Sequence, residues 1–303
     1  SARRHQRTWL LYQGSIGSPV ADFLVRREEP KLVYFHNITP RELVEPWDPG
    51  VGQFATAGWL QLSRLAAQVV AGLSPSRYNA DQLAGAGVAR TMVAPLLVDL
   101  EALRADVDEA ALGRLRAAKT GADLLFVGKL SPHKAQHLLV QALVCYRRAY
   151  DPGARLHLVG GTSSRRYAEA LSRYVADLGL EDAVEVAGSV TPGELAAQYA
   201  NADVFVCASG HEGFCVPLLE AMSHAVPIVA YGVAAVPETL GDAGVVLSSR
   251  APTTLASAVD RVLTDDVLRA GLAEGARTRL AALCLPRARA AMATVLEEAV
   301  GGG

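Results

Sequence analysis

A chain of 303 residues is long enough for about two domains. With half of its residues apolar and a fifth charged, it has the composition of a globular protein and not of a disordered tail. A formal net charge of −2 offers no basic field for nucleic acid, and no apolar run approaches the ~18 residues of a membrane span. The four cysteines (Cys145, Cys207, Cys215, Cys284) are scattered without a CxxC pair, which predicts a reduced, cytoplasmic setting and no zinc site. In that setting the sequon Asn37-Ile38-Thr39 stays unglycosylated.

In chain order, strands are predicted at Trp9–Tyr12, Lys31–Phe35, Val69–Leu73 and Thr91–Ala94. Helices are predicted near Ser18–Arg27, Gly58–Gln68 and Ser76–Ala86, the last opened by Ser76 as N-cap. Asp99 to Gly121 is charged and helical and lacks an apolar strand, which places a domain boundary there. The next part is more regular. Strands are expected at Asp123–Val127, Arg155–Val159, Val184–Val186, Val204–Cys207, Pro227–Ala230 and Gly244–Leu247. Helices fall between them near Lys134–Tyr150, Ser164–Leu178, Pro192–Ala200, Val216–Ser223 and Val236–Leu240. Helical stretches at Thr253–Leu283 and Pro286–Val300 close the chain. Alternating strands and helices are the pattern of an α/β protein with parallel sheets, and six strands in succession describe one complete doubly wound sheet.

Ligands of such sheets bind outside the carboxyl ends of the strands, so the residues that follow each strand carry the functional information. After DLLFV, Gly128 permits a tight turn, and Lys129 and Lys134 follow around a Ser-Pro loop. Lys134 is expected to open a helix, where the dipole disfavours a cation unless an anion such as a diphosphate is at hand. By spacing alone the two lysines read equally as solvated charges. Gly160 and Gly161, after RLHLV, either admit a flat ligand to the backbone or make a plain turn. After Val204–Cys207 the run HEGFCVPLLEAM sets Glu212 in a loop and Glu220 in a helix opened by Pro217. The amides of Phe214 to Val216 would face a phosphate at that helix N-terminus, and Glu220 can accept two bonds from a ribose diol. The alternative is that Glu212 and Glu220 are ordinary charges. Asp106-Val107-Asp108 imitates a metal-binding DxD but lies in the boundary region, and Gly85-Ala86-Gly87 follows a helix and not a strand. Cys215 has no evident base partner and reads as a packing residue.

The runs VGKLSPHKAQHLLVQAL, LVGG, VEVAGSVTPGELAAQYANADVFVCAS and HEGFCVPLLEAMSHAVPIVAYGVAAVPETLGDAGVVL occur in this order. Together they resemble the retaining GT-B glycosyltransferases of family 4 over essentially all of Leu124 to Leu247. Upstream, YFHNITP and GLSPSRYNADQL resemble that family's acceptor-domain segments less specifically. The resemblance implies two Rossmann-like, doubly wound α/β domains facing a cleft, the N-terminal one incomplete here. Their expected limits are residues 1–100 for the acceptor-side domain, 101–121 for a linker helix region, 122–285 for the nucleotide-sugar-binding domain, and 286–303 for a helix packing back toward the first domain.

The resemblance further implies that Glu212 binds hydroxyls of the donor sugar and Glu220 the ribose, with Lys129 and Lys134 on the diphosphate. Gly213, Phe214, Cys215 and Val216 would lie against the sugar and β-phosphate, near Gly128 and Gly160. Ser189 and Val190 would meet the base, and His36, after Lys31–Phe35, would face the sugar. The implied activity is retaining transfer of a hexose-type sugar from a UDP- or GDP-linked donor, with no metal and no separate cofactor. The acceptor would be a hydroxyl of a glycan, a lipid-linked molecule or a small molecule. The expected location is cytoplasmic, and Arg3, Arg4, Arg7, Arg26 and Arg27 give a thin hint of peripheral contact with the inner membrane face. A GT-B nucleotide-sugar epimerase and an impaired nucleotide-sugar-binding module are the competing readings. Cys215 stands where family members most often have glycine, and a small residue is expected to keep the loop with a negative φ. Family members also open with a strand and a glycine-rich loop not found before WLLYQ, so about half of the first domain is expected to be missing.

Overall fold

The computed structural model describes residues 8–102 and 106–301. It is an α/β fold divided into two units. The first comprises the chain to Glu45, Pro49–Leu97 and the residues from Pro286 onward; the second comprises Pro46–Asp48 and Val98–Leu285. Arg3, Arg4 and Arg7 of the basic hint lie outside the described residues.

In the first unit, β1 (Leu10–Gly14), β2 (Lys31–Phe35), β3 (Val69–Ser74) and β4 (Thr91–Val93) form a parallel sheet in that order. The helices between them are α1 (Pro19–Val25), α2 (Arg41–Val44), α3 (Pro49–Ala66) and α4 (Arg77–Gly85). Every residue of β2 is buried, as expected of a strand covered on both faces. Its side chains alternate: Val33 and Phe35 pack with Ala55, Leu62 and Leu83 on one side, while Leu32 and Tyr34 face Met292, Val295, Leu296 and Ala299 on the other. Those last residues belong to the closing helix, Leu285–Gly301. Ser76 caps α4 as predicted, its side chain accepting from the Asn79 amide. Helix α3 begins nine residues before the predicted start at Gly58. Its glycines are sites of close packing and not breaks: a Cβ on Gly58 would lie 2.7 Å from the Gly17 nitrogen, and one on Gly52 2.8 Å from Glu45 Cβ.

The second unit opens with α5 (Glu109–Ala118), shorter than the helical stretch predicted over 101–121. The Asp108 carboxylate caps it by accepting from the Ala111 amide, which gives the DxD look-alike a structural role. There follow β5 (Asp123–Val127), α6 (Gln136–Ala149), β6 (Arg155–Val159), α7 (Arg165–Asp177), β7 (Val184–Gly188) and α8 (Pro192–Asn201). The unit continues with β8 (Val204–Cys207), α9 (Val216–Ser223), β9 (Ile228–Tyr231), α10 (Val236–Leu240), β10 (Val245–Leu247), α11 (Pro252–Thr264) and α12 (Asp266–Leu283). The closing helix of the first unit is α13 (Leu285–Gly301). The predicted helical stretch Thr253–Leu283 is thus two helices, broken at Asp265, whose side chain caps α12 by accepting from the Leu268 amide.

The second sheet is parallel throughout, in the order β10-β9-β8-β5-β6-β7. Chain order runs outward in opposite directions from the adjacent pair β5 and β8, which makes their carboxyl ends the topological switch point where open α/β sheets bind ligands. At the other end of the sheet a buried polar cluster ties three strands together. His157 Nε2 lies 2.9 Å from Asp123 Oδ1 and its Nδ1 lies 2.8 Å from Glu185 Oε2. Asn201 donates to the second Asp123 oxygen, and Lys119 pairs with Asp203 at 2.7 Å.

Candidate functional site

The loops leaving β5 and β8 meet at the switch point. After β5, the Gly128 amide donates to the Val159 carbonyl at 2.8 Å, and the Leu130 amide donates to Gly161 at 2.9 Å. Gly160 has φ +139°, and a Cβ there would lie 2.4 Å from the Gly128 oxygen. Glycine is therefore required at this position by one strand-end loop pressing on another. The Gly160 amide in turn donates to Gly188, and a Cβ on Gly161 would lie 2.8 Å from Ser189 Oγ. Ser189 is exposed and Val190 half-buried beyond the end of β7.

Lys134 does not open α6. Residues Pro132–Lys134 form one 3-10 turn, Ala135 follows in the left-handed region (φ 53°), and α6 starts at Gln136. Lys134 thus lies just before the N-cap of α6 and not in its first turn. The Lys134 ammonium is held by another group: its Nζ donates to Glu212 Oε1 at 2.6 Å. Glu212, on the loop after β8, is 6% exposed, and the Lys134 side chain 20%. The Gly210 amide donates to the His133 carbonyl at 2.6 Å, and Gln136 Nε2 to the Lys129 carbonyl at 2.9 Å, fixing both loops. Lys129 itself is exposed.

Cys215 precedes α9 with φ 73°, ψ 69°, in the left-handed region and not with the negative φ expected. The loop keeps the backbone that a glycine would adopt freely, and the cysteine bears its cost, of order 1–2 kcal/mol. Its side chain does not cap the helix, and Pro217 stands in the first turn. The first-turn amides of α9 thus lack a side-chain acceptor from the cap position. Glu220, one turn along, accepts from the Tyr199 hydroxyl at 2.7 Å. In the first unit, His36 follows β2 with its Nε2 2.5 Å from Gln13 Oε1, next to Asn37, another residue of positive φ (91°).

The electrostatics follow from burial and pairing. Burial lowers the Lys134 pKa, but the Glu212 carboxylate together with the nearby Cys215 and Cys207 outweighs it, so the ammonium is held above its ordinary value. Burial, with Lys134 and His211 nearby, pushes His133 down to about 3, so it is neutral at physiological pH. Burial also lowers His211 and His36, and raises Glu220 against the opposing bond from Tyr199. The net arrangement is one fixed cation against a buried carboxylate, flanked by neutral imidazoles.

The model of the family "Glycosyl transferases group 1" matches residues 108–279, more than half of the chain. The chain belongs to that family. Among curated relatives of this group 1 chain, the D-inositol 3-phosphate glycosyltransferase of Frankia alni is 35% identical over 192 residues, covering 61% of the chain and 47% of the relative. The GDP-mannose-dependent alpha-(1-6)-phosphatidylinositol monomannoside mannosyltransferase of Mycobacterium tuberculosis is 36% identical over 148 residues, covering 46% and 37%. The chain spans about half the length of the curated relatives it matches. Anabaena Alr3699/HepE, solved in complex with UDP-glucose, superposes with TM-score 0.74 at 20% identity, over 92% of this chain and 74% of that one. That likeness shows the fold, an α/β architecture of the GT-B glycosyltransferase kind.

The matched region of this group 1 chain contains all the candidate residues of the second unit: Gly128, Lys129, Lys134, Gly160, Ser189, Val190 and Glu212 to Glu220. Among them the fold joins Lys134 directly to Glu212, and sets Glu220 on Tyr199. Spacing could not reveal the first pair, because its members stand 78 residues apart. Two further features were missed. His133 is a half-buried imidazole beside Lys134, its Nδ1 2.8 Å from Ser131 Oγ. Cys207 and Cys215, read as scattered cysteines, come together with Glu212, their Sγ atoms and a carboxylate oxygen lying within 4.8 Å of one another.

Proposed function

We propose that this chain handles the donor in the transfer of a hexose-type sugar from a nucleoside diphosphate sugar to an acceptor hydroxyl, with retention at the anomeric carbon. The observation that carries the reading is the pairing of Lys134 with the buried Glu212 at the sheet's switch point. An ammonium has three N–H donors and a carboxylate about four acceptor sites. The pair spends one of each on itself and leaves the rest pointing to different chemistry: Lys134 toward a diphosphate, Glu212 toward sugar hydroxyls. As the glycosidic bond breaks, charge gathers on the leaving diphosphate. Lys134, the exposed Lys129 and the first-turn amides of α9 meet that charge in a partly dry site, where fixed donors act strongly. Gly213 to Val216 would lie along the sugar and β-phosphate, Glu220 would take the ribose, and Ser189 and Val190 the base. The acceptor then attacks the face the diphosphate leaves, and a β-phosphate oxygen takes its proton. Such a route needs no pair of nucleophilic and acidic carboxylates. His36 lies after β2 in the first unit.

A UDP- or GDP-linked donor is supported by the UDP-glucose complex of the Anabaena structural neighbour and by the GDP-mannose dependence in the name of the mycobacterial relative. The acceptor is assigned only as a hydroxyl on a glycan, a lipid-linked molecule or a small polyol. The test is a thermal-shift panel of UDP-, GDP-, ADP- and dTDP-sugars, followed by donor hydrolysis and transfer. A donor at a hundredfold its Kd adds about 2.7 kcal/mol of stability. Glu212→Ala and Lys134→Ala are each expected to lower turnover by more than tenfold, about 1.4 kcal/mol in the barrier. A smaller loss in either variant overturns its role.

A further inference from the structure

Cys207 ends β8 and Cys215 precedes α9, and both are buried beside Glu212. The two Sγ atoms and a Glu212 oxygen fall within 4.8 Å of one another. We propose that Cys207, Glu212 and Cys215 form a site for a thiophilic divalent cation of the Zn2+ class. Two sulfurs and one carboxylate are a donor set for such a cation, whereas Mg2+ and Ca2+ take oxygen alone. Ligand atoms this close can converge on one centre at metal–ligand distances of about 2.0–2.3 Å. Three protein ligands leave a fourth position open, as in zinc sites that exchange water or substrate. The Cys207 thiol now donates to Ser209 Oγ at 3.4 Å, a weak contact that a metal–thiolate bond would replace. Binding sends both thiol protons to solvent and forms two metal–thiolate bonds, with no redox change.

A second observation points the same way. Cys215 is held in a left-handed conformation that a glycine would adopt without strain, so the thiol stands there at a backbone cost. The cation must also draw Glu212 away from Lys134, its present partner at 2.6 Å. The inference rests on the donor reading for its consequence alone: if Glu212 holds the sugar, an occupied cation site excludes the donor.

Cd2+ is the probe, titrated into the full chain carrying Cys145→Ser and Cys284→Ser and followed by cadmium–thiolate charge-transfer absorption. The band is expected to saturate at one equivalent and to disappear when Zn2+ displaces Cd2+. Cys207→Val, which keeps the strand end buried and apolar, is expected to lose it. Glu212→Gln is expected to weaken Cd2+ by at least about tenfold. Circular dichroism confirms the fold of each variant. Absence of the band, an undiminished band in Cys207→Val, or unchanged affinity in Glu212→Gln overturns the site. None of these readouts involves the donor or turnover, so failure here is separate from failure of the transferase reading.

Discussion

Lys134 and Glu212 form a half-dry ion pair, and removing one partner leaves the other charge short of compensation. For a fully buried pair that loss reaches several kcal/mol; the 20% exposure of Lys134 discounts it to roughly 1–3 kcal/mol. Urea unfolding of Lys134→Met, Glu212→Gln and the double variant should therefore give a coupling of the two sites, the double variant being less destabilised than the sum of the singles. Additive losses would mean that the contact contributes nothing to the fold. At Cys215, replacement by glycine removes the left-handed strain and a small buried side chain together. Stability is expected to stay within about 1 kcal/mol of the parent, while Cys215→Val, branched at Cβ, should cost about 2 kcal/mol or more in the same denaturation measurement. The candidate residues could be nominated from sequence because they follow apolar strands. Their pairing could not: no local pattern records that residue 134 meets 212, or that Cys207 meets Cys215.

At the scale of elements, strands were the most legible feature, since Lys31–Phe35, Asp123–Val127, Arg155–Val159 and Val204–Cys207 occur where the apolar runs place them. Helix starts were legible where a hydroxyl caps them, at Ser76 and Ser164. They were missed where tertiary packing decides, as in α3, whose Gly52 and Gly58 pack closely on Glu45 and Gly17. The buried cluster that joins β5, β6 and β7 also makes a pH prediction. Burial lowers the His157 pKa, but the bonds to Asp123 and Glu185 outweigh it and raise it above 6.5. Its stabilisation is thus complete below about pH 6.5 and is lost as pH rises through the raised value. Burial raises the Asp123 carboxyl, but His157, Asn201 and Lys119 outweigh it, and His157 holds Glu185 low, so their share is lost as pH falls below about 4. The stability difference between the parent and His157→Gln should be largest near pH 5 to 6 and shrink by pH 9, measured by denaturation across that range. A difference that grows with pH would contradict the charged imidazole.

For the molecule as a whole, the division into units predicts how it comes apart. Helix α13 is last in the chain yet covers one face of the first sheet, where Leu32, Tyr34, Ala71, Leu73 and Ala94 meet Met292, Val295, Leu296 and Ala299. No pattern in its own residues says which sheet it covers; the family resemblance alone assigned it to the first domain. A chain ending at Leu285 should expose that apolar face. The expected result is a second, earlier transition in urea, with increased binding of a hydrophobic dye, while the transition of the second unit holds its midpoint. A single unshifted transition would show that α13 is dispensable to the first unit.

The interlaced loops at the switch point carry a consequence for how this site can be re-engineered or can drift. The amide of Leu130 is spent on Gly161, that of Gly160 on Gly188, that of Gly210 on His133, and that of Ala235 on the Glu212 carbonyl. Five strand-end segments therefore behave as a single graft, not as independent cassettes. A chimaera that imports one of them from a relative inherits unmatched amides and carbonyls in the segments it bonds to. Donor preference should accordingly transfer between such chains only when the whole set is exchanged together.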